Sequence, residues 1–386
     1  MKNVLRPLEL LLRHGIVYPL LKLVFHNKER HSPIPLRSVK KLLILRYDRI
    51  GDIIVTTPVF RRLKHFHPGL FIGVVASPAN AELVQTNSFV DRLHILPKHW
   101  WHLPRFLREA RQEQYDVVLN FIFNRTTSGG VLANLIAPSA IKVGQGADKY
   151  KFYFNRLLRL ERGEDHMATV LLKYVDTVFG LPKLKSDPLF EIIVPDSAKQ
   201  TVASFLNRSG VRPRKFIVLN ISAAETVRKI SHQQTAFLAH VLSMQCREAV
   251  VMISAPADLR MREEIASSSG RTVFSFPPHG NTDMLTIAAL LGESKAVITP
   301  DTSVIHLASA MRVPVMGLYT PLQVTNEWLP HGVSHRIVLA SQNEPVSSIS
   351  EKTIEVEVKL FLKSLKKKKR PPGSRSTSPK RAARRK

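Results

Sequence analysis

The stretch from Ile298 to Thr320, ITPDTSVIHLASAMRVPVMGLYT, reads as strand, turn, helix and strand in one short run. A βαβ unit of this kind calls for a parallel sheet with helices laid on its faces. Its polar turn, Pro300-Asp301-Thr302-Ser303, falls where the helix begins, and Asp, Thr and Ser are residues that cap helix N-termini. Free backbone N–H groups and the positive end of the helix dipole make such a turn a site for phosphate. His306 follows about one turn later and can face the same crevice. An ordinary capped βαβ unit would carry the same pattern.

A second stretch, Leu42–Pro58 (LLILRYDRIGDIIVTTP), adds to it. Leu42 to Leu45 fits a buried parallel strand. Gly51 permits a tight turn close to a ligand, and Asp52 sits at or just inside the start of the next helix. Arg46, Arg49 and Asp52 therefore gather beyond the carboxyl end of a first strand, where open α/β sheets bind ligands. Taken alone, Asp52 has the simpler reading of a helix cap.

Together the two stretches resemble glycosyltransferase family 9, the ADP-heptose:lipopolysaccharide heptosyltransferases. The residues carrying the resemblance are Leu43-Ile44-Leu45-Arg46 through Gly51-Asp52 to Thr57-Pro58. Near the C-terminus they are Asp301-Thr302-Ser303-Val304-Ile305-His306-Leu307-Ala308-Ser309-Ala310, with Pro314 and Gly317-Leu318-Tyr319. The resemblance covers roughly residues 40–345. It departs from the family at Ser303, where glycine is usual, and at Ile230-Ser231, where a Trp-Pro pair is usual.

The resemblance implies an α/β chain of GT-B type, two Rossmann-like doubly wound domains facing a central cleft. The boundaries expected are a basic amphipathic arm over 1–40, an acceptor domain over 41–180 and a donor domain over 181–345. A C-terminal helix over 346–362 and a disordered basic tail over 363–386 complete them. Periodicity agrees with alternating α/β structure. Strands are expected at Leu42–Leu45, Phe71–Ala76, Leu93–Leu96, Tyr115–Asn120, Lys142–Gly144, Lys215–Asn220, Ala249–Ile253, Thr272–Phe274, Ala296–Thr299 and Val315–Leu318. A helix over Met167–Phe179 is expected to bridge the halves.

The resemblance also implies transfer of heptose from ADP-heptose to a lipopolysaccharide core acceptor, Kdo or heptose. By motif position Asp52 is the base, and Arg46 an acceptor contact beside Arg49 and Arg125. Arg228 or Lys229 takes the donor phosphates, Asp258 the ribose, and Asp301, Thr302, Ser303 and His306 the donor sugar and diphosphate. A cation pair on the surface is the plainer reading of Arg228-Lys229, and a helix cap that of Asp258. No cofactor and no metal are implied: there is no Asp-x-Asp, and the histidines lack ligand spacing.

Composition bounds the alternatives. A chain of 386 residues suggests two domains, and 44% hydrophobic residues suffice for packed cores. A single cysteine, Cys246, permits no intrachain disulfide and fits a reducing compartment. The net charge of +27 is concentrated at the ends, with twelve Lys or Arg and no acidic residue from Lys363 onward. That tail suits either nucleic acid or an anionic membrane surface, or it is simply solvated. Residues 2–26 mix Leu, Ile, Val and Phe with Lys2, Arg6, Arg13 and Lys22, broken by Pro7, Gly15 and Pro19. They read as short amphipathic pieces in the headgroup layer, or as an arm packed on the protein's own surface. The expected location is cytoplasmic, peripheral on the inner leaflet of a bacterial inner membrane.

A different glycan or a protein serine as acceptor is the nearest alternative. A dinucleotide-dependent oxidoreductase would need a G-x-G-x-x-G turn after a strand, and none occurs. Nucleic-acid binding would explain the charge but leaves two α/β halves without a purpose, and no binding signature is present.

Overall fold

The computed structural model describes residues 18–25, 27–123, 126–183, 187–321 and 326–367. In the first half, β1 (Lys41–Leu45), β2 (Phe71–Ala76), β3 (Arg92–Ile95), β4 (Val117–Asn120), β5 (Ile141–Gln145) and β6 (Arg156–Leu158) form one sheet. Its order is β3-β2-β1-β4-β5-β6, and every pairing is parallel. In the second half, β7 (Phe216–Asn220), β8 (Ala249–Ile253), β9 (Val273–Ser275), β10 (Ala296–Pro300), β11 (Val315–Tyr319) and β12 (His335–Leu339) form another. Its order is β12-β11-β10-β7-β8-β9, again parallel throughout. Counted from its own first strand, each sheet repeats the order third, second, first, fourth, fifth, sixth. This is the doubly wound arrangement expected from the sequence. Its strand order reverses between β1 and β4 and between β7 and β10, which is where such sheets open a crevice for ligands.

The helices follow from the apolar stripes between strands. The first half carries α1 (Tyr18–Val24), α2 (Ile50–Phe66), α3 (Glu82–Gln85), α4 (Leu103–Gln112), α5 (Thr126–Ile136) and α6 (Met167–Phe179). The second carries α7 (Asp196–Ser209), α8 (His232–His240), α9 (Leu259–Ser268), α10 (Met284–Glu293), α11 (Ser303–Ala310) and α12 (Glu351–Lys367). Leu42, Leu43, Ile44 and Leu45 are fully buried, as a strand covered on both faces requires. One core runs without interruption from α2 and α6 of the first half to α10 and α11 of the second. The outer faces have separate cores, α4 and α5 on the first sheet and α8, α9 and α12 on the second. Pro58 lies inside α2, where it removes a backbone donor to Ile54. The Thr57 hydroxyl donates to that Ile54 carbonyl at 2.8 Å, so the Thr-Pro step leaves no acceptor unpaired there.

Several boundaries shift from the sequence expectation. The edge strands β6 and β12 were not foreseen, because both are short, only partly buried and interrupted by basic residues. The last helix spans Glu351–Lys367 rather than 346–362, so the first residues assigned to a disordered tail are helical. Residues 368–386 and 1–17 lie outside the described residues. The described part of the N-terminal arm, α1, packs on the first half: Tyr18 Oη meets Thr127 Oγ1 at 3.0 Å. No helix among the described residues is long and apolar enough to cross a membrane.

Gly73 in β2 shows how tightly the first sheet is filled. A Cβ added there would lie 2.0 Å from Tyr115 Oη, and that hydroxyl is 2.8 Å from His94 Nε2. Gly73→Ala should therefore displace Tyr115, break its bond to His94 and cost about 1–3 kcal/mol. A denaturant midpoint within error of the parent protein would refute this packing.

Candidate active site

Both switch points carry the residues singled out from the sequence. After β1 the chain turns at Arg46–Arg49 and enters α2, so Asp52 stands in the helix's first turn. Arg46 is 2% exposed and binds several groups at once. Its Nη2 donates to Asp52 Oδ1 at 2.9 Å and its Nη1 to Asp48 Oδ2 at 3.0 Å. Its Nε donates to the Asp52 carbonyl and to Thr56 Oγ1, at 3.0 and 3.1 Å, and Nη1 also reaches the Phe121 carbonyl beyond β4. Its guanidinium is buried and committed to positioning Asp52. Burial, first, and the nearby Asp52 charge push the Asp48 carboxyl up to about 6, against the pull of Arg46.

Arg49 is exposed and points across the cleft to Glu225, 3.4 Å away. Glu225 also meets Arg228 Nη2 at 3.3 Å, and Arg228 Nη1 lies 3.0 Å from Asp301 Oδ2. Arg49, Glu225, Arg228 and Asp301 thus form a line of alternating charge from one half to the other. Burial raises the Asp301 carboxyl, with Arg228 opposing that shift and Glu225 adding to it. Lys229 is turned elsewhere and pairs with Asp258 at 3.2 Å. Asp258 makes no capping bond to α9, so its carboxylate serves Lys229 rather than the helix end. Arg125 lies outside the described residues.

At the second switch point, Thr302 caps α11: its hydroxyl accepts from the Val304 N–H at 3.3 Å. Asn220, the last residue of β7, holds that turn by donating to Thr302 Oγ1 and Thr299 Oγ1, at 3.2 and 2.9 Å. Ser303 begins the helix.

The helix starts of the two halves meet. A Cβ on Gly51 would lie 2.8 Å from His306 Cδ2 and 3.8 Å from the Ser303 Cα. Only a glycine lets α2 approach α11 this closely. His306 is 4% exposed, and its ring is packed into the seam between the two halves. His166, His331, Phe190 and Trp328 surround it, with His166 and His331 ring centres 4.4 Å apart. Burial lowers His306 to about 4, with Asp52 opposing the shift and His331 adding to it. Burial and both neighbouring histidines lower His166 to about 2.

Glu225, Asp48, Asn220 and His166 were not singled out from the sequence. Asn220 had a signal, since an Asn closes β4 as well as β7. In both cases its Oδ1 accepts from the N–H two residues on. Glu225 had none, because its partner across the cleft, Arg49, is far away in the chain.

Comparison with known proteins places this geometry among relatives. Residues 103–358 match glycosyltransferase family 9 (heptosyltransferase). Lipopolysaccharide core heptosyltransferase OpsX of Haemophilus influenzae is 20% identical over 297 residues, spanning 74% of this chain and 81% of that protein. The glycosyl transferase family 9 structure from Veillonella parvula has a TM-score of 0.73 at 19% identity, covering 87% of this chain and 100% of its own. Escherichia coli heptosyltransferase WaaC with ADP gives 0.66 at 17% identity, covering 85% and 98%.

The histidine seam gives stability a pH dependence of definite sign. Histidine in the unfolded chain titrates near 6.5, whereas His306 in the fold titrates near 4. Unfolded protein therefore binds more protons as pH falls from 6.5 to 4, and this group's contribution to stability is lost over that window. Asp48, raised in the fold, has the opposite slope, so the comparison must be made against a His306→Gln variant. The parent should lose stability relative to that variant as pH falls through the window. Parallel stability–pH curves for the two proteins would contradict it.

Proposed function

The chain belongs to glycosyltransferase family 9, the heptosyltransferases, and we propose that it transfers a heptose from ADP-heptose to a Kdo or heptose of a lipopolysaccharide core. The observation that carries this reading is the meeting of α2 and α11 at Gly51 and Ser303. It sets a carboxylate on the first turn of one helix beside the N-terminus of another, where a diphosphate is favoured.

In the proposed reaction Asp52 accepts the proton of the acceptor hydroxyl as that oxygen attacks the anomeric carbon. The bond from that carbon to the β-phosphate oxygen breaks, and ADP leaves with the electron pair. Arg46 fixes the carboxylate through Oδ1, leaving Oδ2 for the proton. Arg228 is the phosphate counter-charge, since it already sits against the turn that begins α11. A diphosphate would take over the guanidinium from Glu225 and Asp301 and release Asp301 to the sugar hydroxyls. The Thr302 and Ser303 turn adds backbone donors. Lys229 and Asp258 act together nearer the ribose, and Arg49 faces the anionic acceptor.

Asp52→Asn keeps the oxygen that accepts from Arg46 and removes the base. Transfer, read as ADP released in the presence of acceptor, should fall ~10²–10⁴-fold while calorimetric ADP affinity holds. Retention of more than about a tenth of the rate would end the assignment.

Donor binding separates the two partners at α11. Arg228→Ala should weaken ADP by about 1.5–3 kcal/mol, the usual worth of a charge-assisted hydrogen bond. Asp301→Ala should instead weaken ADP-heptose more than ADP. Equal affinities across parent and both variants would put the donor elsewhere.

A further inference from the structure

The outer face of the first sheet carries an apolar strip that the transfer reaction does not use. Phe106 and Ala110 of α4 turn inward and join the core under Leu43, Leu45 and Val75. On the other side, the turn ahead of the helix leaves Trp100 78% and Trp101 56% exposed. Trp100, Leu103, Pro104, Leu107, Arg108 and Arg111 line a shallow groove of about 750 Å³. Lys98 and Arg105 stand exposed on the same segment, and its one acidic residue, Glu109, is paired with Arg105 at 2.8 Å. Next to it, α1 lies against α5: Tyr18 Oη meets Thr127 Oγ1 at 3.0 Å. Its outward residues Leu20, Leu23 and Val24 are 57%, 72% and 68% exposed.

We propose that this face, Trp100–Arg111 with α1 beside it, seats on an anionic phospholipid leaflet. Indoles settle at the headgroup level, where one end of the ring is apolar and the N–H stays wet. Arginines extend their stems along the apolar strip and place their guanidinium groups on lipid phosphates. The charge pattern selects this occupant: cations rim the strip, so a second copy of the same face would oppose like charges. The orientation is also useful. Trp100 follows the carboxyl end of β3, the same edge of the sheet from which the Arg46–Asp52 turn follows β1. A leaflet on this face therefore lies at the mouth of the first half. That advantage rests on the reading of a lipid-borne acceptor, whereas the surface itself does not.

The full chain would be mixed with vesicles of phosphatidylcholine containing about 30% phosphatidylglycerol, with and without brominated acyl chains. Tryptophan emission should shift to the blue and be quenched by the brominated lipid, and pure phosphatidylcholine should have little effect. Arg105→Glu/Arg108→Glu should weaken vesicle binding at least tenfold, and Trp100→Ser/Trp101→Ser should abolish the quenching. ADP release with a soluble acceptor should be unchanged in both variants. Absence of quenching in the parent, or vesicle binding by both variants within twofold of it, would overturn the proposal. So would a concentration-dependent dimer, seen in ultracentrifugation, that the Trp substitutions dissolve. If the parent releases no ADP, the transferase reading fails, and the quenching still decides the surface.

Discussion

The approach of α2 to α11 at Gly51 is the constraint on which the site depends. Two doubly wound sheets with the same strand order could be joined at many angles. Here the continuous core through α2, α6, α10 and α11 fixes one of them. Gly51 brings the helix starts within van der Waals distance of each other, and the His306 ring fills the space a side chain would need. Aligned dipoles make each of those helix starts electropositive. The seam therefore sets two electropositive helix starts side by side, before any particular side chain is considered.

Charge at the seam is arranged so that no buried ion stands alone. A buried charge without a partner is costly, and a pair is tolerable only when its remaining hydrogen bonds are also met. Arg46 meets that condition through two carboxylates, two carbonyls and a hydroxyl. Arg228 lies between Glu225 and Asp301 but keeps a buried Nε with no hydrogen-bond partner among the described residues. The contrast separates their roles. Arg46 is saturated and belongs to the scaffold. Arg228 has a donor to spare.

Sequence patterns revealed what depends on neighbours in the chain. The Asp301-Thr302-Ser303 turn was legible because capping is local, and the parallel strands were legible because both faces are covered. Met167–Phe179 was expected and found as a helix because its apolar spacing is helical and Gly180 ends it with φ near 65°. Long-range consequences were hidden. The motif position of Arg46 is visible in the sequence, whereas the Phe121 carbonyl it reaches is 75 residues away. For His306, helical spacing gives a direction but not the neighbour in that direction, here the seam of Gly51. Edge strands β6 and β12 were missed for the opposite reason, since half-covered strands need no continuous apolar run.

The two halves share a topology yet use their switch points differently, and the difference follows from a few residues. In each, an Asn ends a strand at the switch and turns back on its own backbone. In the first half Gly129 lets α5 close over Asn120, for a Cβ there would lie 2.4 Å from Asn120 Oδ1. There α5 rests directly on the end of β4. In the second half Asn220 instead supports the hydroxyls of Thr299 and Thr302, which keeps the α11 start ordered and accessible. A duplicated fold thus yields one helix start that carries a fixed carboxylate and another whose turn is held by an Asn. The seam at Gly51 is what sets the two side by side.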